Sequence, residues 1–149
     1  MNHRKTLCIC TAFLSLLLTG HTIAGELSLD AGWVRETPPG AHNAAAFLTL
    51  RNNSDALMHA TGVQCATTLA SRCEMHEHLH VDGKMRMQKV PALDIPAHGT
   101  LVFQPGGYHI MLLDLAQPLK AGTQVTIEFI LDGRANFSVT LPVKPVTEE

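Results

Sequence analysis

The sequence predicts an all-β fold: a sandwich or Greek-key barrel of short strands forming a single domain. Three observations carry this expectation. No stretch beyond residue 24 holds a helical hydrophobic period of useful length. Short runs with strand character recur instead, separated by Gly, Pro, Asn and Asp. Within the clearest runs, apolar and polar residues alternate, which is the period of a half-buried strand.

Taken in order, the first run covers residues 27–34, and Pro38-Pro39-Gly40 breaks it from the second, 44–51. Asn52-Asn53-Ser54-Asp55 reads as a tight turn before the third, 56–63. Runs 72–81 and 84–90 flank Asp82-Gly83, and runs 124–131 and 135–143 flank Asp132-Gly133. Asp-Gly is a strong hairpin signal because both residues tolerate positive φ. Between these lie 100–103 and 109–115, separated by a sharp bend at Pro105-Gly106-Gly107. Val125, Ile127, Phe129 and Leu131 share one face of their strand. Phe137, Val139 and Leu141 do the same in the last run, opposite Ser138 and Thr140. These two strands read as scaffold, and residues 142–149 read as a loose tail.

The N-terminus predicts export. Arg4 and Lys5 precede an apolar run from residue 6 to about 20, and Thr22-Ile23-Ala24 supplies small residues for cleavage after Ala24. Residues 1–24 are therefore expected to be a signal peptide and residues 25–149 the mature domain. That run is short for a membrane span, and no later segment is apolar enough to be one. Gly25 follows the cleavage point, where a lipoprotein signal would place cysteine. Removing 24 of 149 residues leaves 125, enough for one domain with its own core. Lys and Arg then fall from 11 to nine against 13 Asp and Glu, a net charge of about −4. With no basic patch, nucleic acid is not an expected partner. Cys8 and Cys10 leave with the signal. Cys65 and Cys73 remain, either as a disulfide favoured outside the cytoplasm or as two buried thiols.

Four residues stand out as soft-metal ligands: His76, Met87, His109 and Met111. Alternation puts Glu74, His76, His78 and His80 on one face of run 72–81 and Cys73, Met75, Glu77, Leu79 and Val81 on the other. Met85 and Met87 share a face beyond the turn, and His109 and Met111 share one because they are two apart. Imidazole with thioether, lacking thiolate and carboxylate, is a donor set suited to Cu(I). Such donors add no charge, and they resist the disulfide oxidation that disables thiolates outside the cytoplasm. The competing reading of a strand methionine is gap-filling in the core, and Met85, Met75 and Met58 are assigned to packing. His42, His59 and His98 are assigned to solvent or local hydrogen bonds. His78 and His80 stand beside His76 as auxiliary candidates.

The spacing His76-x10-Met87-x21-His109-x-Met111 resembles the pattern of the PCuAC family of periplasmic copper chaperones. The flanks are similar too: Ala31-Gly32-Trp33-Val34-Arg35 with Pro38-Pro39-Gly40, Ala45-Ala46-Phe47-Leu48-Thr49-Leu50, Ile95-Pro96-Ala97, and Pro105-Gly106-Gly107-Tyr108-His109-Ile110-Met111-Leu112. The resemblance spans residues 30–143. It implies a cupredoxin-like β-sandwich that binds one Cu(I) per domain in the periplasm. It also implies a non-enzymatic role: supplying copper to the CuA-bearing subunit of cytochrome c oxidase, alongside a Sco-type thioredoxin-like protein. Some relatives carry a His/Met-rich tail that adds a Cu(II) site. Here the chain ends Val146-Thr147-Glu148-Glu149, leaving His78 and His80 as the candidates for any second metal. Cys65 and Cys73 are not part of the family's ligand pattern.

Four other functions compete, the plainest being a metal-free interaction module. Copper scavenging or tolerance would use the same residues. An electron-transfer cupredoxin needs a thiolate beside two imidazoles, and Cys73 lacks the usual Cys-His-Met run near the C-terminal end. A thiol-disulfide enzyme lacks a Cys-x-x-Cys motif.

Overall fold

A computed structural model describes residues 25–146. The signal peptide expected over residues 1–24 lies outside the described residues. Ten strands follow in order: β1 Leu27–Arg35, β2 Ala44–Asn52, β3 Met58–Gln64, β4 Ala70–Val81, β5 Lys84–Lys89, β6 Leu93–Ile95, β7 Thr100–Phe103, β8 His109–Leu115, β9 Gln124–Leu131 and β10 Phe137–Lys144. Hydrogen-bonded neighbours run β5-β4-β8-β2-β1-β10-β9-β3-β6, with β7 paired to β2. All pairings are antiparallel except β1 with β10, which joins Val34 to Val143 and Arg35 to Lys144 in parallel.

One core lies between the two halves of this path. Buried residues of β2, β4, β7 and β8 (Leu48, Leu50, Met75, Phe103, Ile110, Leu112) meet those of β3, β9 and β10 (Met58, Ile127, Phe129, Leu141). Phe103 and Phe129 touch across it, with ring centroids 5.8 Å apart. Gly32 is required where β1 crosses close to the core. A Cβ there would stand 2.6 Å from Leu141 Cδ2 and 2.8 Å from Leu48 Cβ.

The turn chemistry acts as expected at Asp82-Gly83, where φ is 53° and 72° and β4 reverses directly into β5. The Asp132-Gly133 connection is longer than a two-residue hairpin: β10 begins only at Phe137. Asn52 closes the turn after β2 and is fully buried. Its Nδ2 donates to the carbonyls of Ala56 (2.7 Å) and Ile95 (3.0 Å), and its Oδ1 accepts from Ser54 N (2.9 Å) and Ser54 Oγ (2.8 Å). Cys65 and Cys73 form a disulfide, with S–S 2.12 Å and Cα atoms 5.9 Å apart.

Two expectations need correction. Residues 142–144 are not tail but the end of β10, where Val143 is buried, accepts from Gly122 N (3.0 Å) and donates to Thr123 O (2.8 Å). The alternation Val139, Leu141, Val143 continues through Pro142, and burial of Val143 against β1 outweighs the missing proline donor. The sequence reading also passed over β6. It is three residues between Pro91 and Pro96, and pairing with Met58–Ala60 extends it.

β4 determines where a site can form. Its first half pairs with β8 from Ala70↔Leu115 to His76↔His109. Beyond His76 it pairs only with β5, and every residue of β5 is exposed. The end of β4 and all of β5 therefore project past the start of β8 as a two-stranded ribbon.

Two stability outcomes follow. Asn52→Leu should lower unfolding free energy by about 2–4 kcal/mol in urea titration, because it strands the buried Ile95 carbonyl and the Ser54 N–H. The Cys65→Ser/Cys73→Ser double variant should lose about 2.5 kcal/mol through the freed unfolded chain. A melting point equal to wild type under reducing and oxidising conditions alike would show that the bridge is not formed.

Candidate metal centre

In the β4–β8 pair His76 lies opposite His109, and Glu74 opposite Met111. Directly opposed residues project to the same face, so these four share the face turned away from buried Cys73, Met75, Ile110 and Leu112. Across β4 on its other edge, His78 faces Met87, and His80 faces Met85. The register thus collects four histidines and three methionines on one side of three strands.

His109 is the best enclosed of them, at 2% exposure. Its ring stacks on His78, with centroids 4.5 Å apart and planes 23° apart, and lies 6.0 Å from His76. His109 Nδ1–H donates to the Gly107 carbonyl at 3.0 Å. The chain reaches that position through Gly106 at φ 77°. This bond assigns the proton to Nδ1 and leaves the lone pair on Nε2, which is buried with no partner. Burial pushes the His109 pKa down, and His78 and His76 add to that. The Gly107 bond opposes it. The neutral, ligating form of the ring is therefore favoured.

His76 is oriented the other way round. Its Nε2–H donates to the Glu74 carboxylate at 3.0 Å, whose second oxygen accepts from Lys89 Nζ at 3.0 Å. Those two bonds, His76 first, hold the Glu74 carboxyl below its ordinary range against the effect of burial. A proton on Nε2 leaves the His76 lone pair on Nδ1, which is also buried and unpartnered. His78 Nδ1 is a third such atom. Three buried imidazole nitrogens without hydrogen bonds in one cluster form a costly arrangement unless something else binds there.

A soft metal ion fits that demand. Among the described residues no group of three or more His, Cys, Asp and Glu is gathered closely enough to hold an ion alone. An ion held here would need further donors, and the thioethers of Met111 and Met87 are on the same face. A histidine that ligates with one nitrogen while the other donates to a carboxylate or carbonyl is the usual way such a ligand is aimed, and His76 and His109 both have this arrangement.

The structure brings His76, His109 and Met111 together directly. Met87 stands opposite His78, diagonal to His76, and is 49% exposed. His78 is drawn in by its stack on His109, whereas His80 lies farther out and exposed on the ribbon. Met58 and Met75 are buried as expected. Met85 is not: it is 57% exposed, because no second layer covers the ribbon for it to fill. The residues that sequence reasoning left without a role are Glu74, Lys89 and the Gly107 carbonyl. Strand parity had placed Glu74 beside His76, and that was the available signal. His59 and His98 pair locally with Asp94 (2.7 Å) and Asp55 (2.6 Å).

Residues 27–143 match the family model described as LpqE-like, a family named for a lipoprotein. The chain belongs to the LpqE-like family. A second relative is the Leifsonia xyli protein Lxx21020, also named as a lipoprotein. It is 30% identical over 122 residues, which span 81% of this chain and 71% of that protein. Among solved structures, apo-DR1885 from Deinococcus radiodurans is 32% identical, with TM-score 0.62 and 99% of each chain covered. The Cu(I) form of DR1885 is 35% identical, with TM-score 0.62, over 79% of this chain and 78% of that one. The copper-bound PCuAC domain of PmoF2 shares the fold at 16% identity, with TM-score 0.64, over 81% of this chain and 94% of that domain. This LpqE-like chain therefore has the fold of PCuAC domains, some of which have been solved with copper. No helix among its described residues is long and apolar enough to cross a membrane.

The proton assignments are directly measurable. Ring 15N shifts at neutral pH should report His109 as the Nδ1–H tautomer and His76 as the Nε2–H tautomer. Glu74→Gln should weaken the preference at His76 and leave His109 unchanged. Tautomer averaging at His109 in the wild type would contradict the lone-pair assignment.

Proposed function

We propose that this protein is a non-enzymatic Cu(I) carrier of the periplasm, holding one ion through His76, Met87, His109 and Met111. The observation that carries the reading is the cluster of buried, unpartnered imidazole nitrogens beside two thioethers. The ligand spacing and the Cu(I) form of the related DR1885 support it. The neutral donors leave the bound ion its single positive charge and favour Cu(I) over harder ions. Glu74 and Gly107 aim the two imidazoles at the ion, and Lys89 balances the carboxylate. Because Met87 is half exposed, an acceptor can displace it first, and ligand exchange then proceeds from the open side. The acceptor in this reading is the CuA centre of cytochrome c oxidase, reached directly or through a Sco-type thioredoxin-like protein.

Titration of residues 25–149 with Cu(I) against a chromophoric chelator should give one tight equivalent. Replacing Met87 and Met111 together with Leu should abolish it, and Glu74→Gln should weaken it about 10–100-fold. Unchanged binding in the double methionine variant would remove the site assignment. Deletion of the gene should lower oxidase activity at low copper. Copper sensitivity with normal oxidase activity would assign the protein to scavenging instead.

A further inference from the structure

Five methionines lie within residues 25–146, and two of them, Met58 and Met75, are core. The other three, Met85, Met87 and Met111, share one face with His76, His78, His80 and His109. Only part of this set is used by the four-ligand site. The remainder forms a series along the ribbon: His78 opposite Met87, then His80 opposite Met85, next to the Asp82-Gly83 turn.

We propose that His80 and Met85 form a second soft-metal site at the ribbon tip, an outer exchange station through which Cu(I) enters and leaves the enclosed site. This inference rests on the carrier reading above. A directly opposed pair has Cβ atoms about 4.5–5.5 Å apart, close enough for an imidazole and a thioether to share one ion. Cu(I) is soft and accepts this pair of donors. The next pair inward, His78 and Met87, is two residues along each strand, about 7 Å away, so a short step carries the ion from one donor pair to the next.

Exposure gives the series a direction. His109 is buried at the inner end, Met87 is half exposed, and His80 and Met85 are open at the outer end. An acceptor protein cannot reach His109 directly, but it can reach the tip. The ribbon is also the part of the sheet with least support. It is two strands wide with β5 wholly exposed, and such a ribbon has little stability of its own. It can adjust around an incoming ion at small cost. A site with two exposed donors binds more weakly than the enclosed set, as an exchange station requires.

The experiment uses Cu(I) and, as a redox-inert mimic, Ag(I), on wild type and on the His80→Ala/Met85→Leu variant. Both substituted side chains are exposed, so the variant keeps its core. In wild type, the first equivalent should shift the Met111 and Met87 methyl resonances, and a second, weaker equivalent should shift those of Met85 and the His80 ring. The variant should keep the first equivalent and lose the second. Its transfer of Cu(I) from the one-to-one complex to a chelator should slow about tenfold. An unmoved Met85 methyl at the second equivalent, or a transfer rate equal to wild type, overturns the exchange station and leaves the carrier reading intact. Loss of the first equivalent in wild type overturns the carrier reading. That result is separate, because Met85 and His80 are monitored by their own resonances.

Discussion

The register between β4 and β8 is the constraint on which the site depends. Placing His76 against His109 and Glu74 against Met111 requires a single alignment of two antiparallel strands. A slip of β4 by one residue would turn His76 and Glu74 into the core and expose Cys73 and Met75, separating His76 from His109 and Met111. The buried face therefore specifies the ligand face. The apolar residues Cys73, Met75, Ile110 and Leu112 hold the alignment, and the polar residues opposite them receive their positions as a consequence. The Asp82-Gly83 turn fixes the second register, which sets His78 against Met87 on the same face of β4.

Much of this was legible from residue order. Strand boundaries for β7, β8 and β9 coincide with the sequence expectation, because turn residues bracket each run and the alternation inside is clean. The same alternation puts Glu74, His76, His78 and His80 on one face, as the strand pairing does. Residues 142–144 and β6 were misread or passed over for a related reason. Proline signals an interruption, yet pairing with a neighbour can hold a proline-flanked or proline-containing segment in a sheet when its apolar residues have a core to enter.

The site was less legible than the scaffold, and for a different reason. Spacing nominated candidate donors, but the direction in which each imidazole presents its lone pair depends on its second nitrogen. Those partners are the Gly107 carbonyl, two residues away, and Glu74, whose carboxylate also binds Lys89 on another strand. The exposure of Met85 could not be read from its alternation either. An apolar side chain on one face of a strand fills a core only if a second layer lies over it, and here the strand projects beyond the sheet.

The bridge between Cys65 and Cys73 bears on the proposed copper site through what it removes from the chemistry. These are the only cysteines in residues 25–149. A free thiol binds a soft ion more strongly than a thioether does, and Cys73 lies three residues from His76 on the same strand, on its opposite face. Oxidation silences both rivals at once. In the proposed carrier the choice of ligands therefore depends on the compartment in which the chain matures: a reducing environment would leave two thiols to compete for the ion, and an oxidising one leaves imidazole and thioether alone.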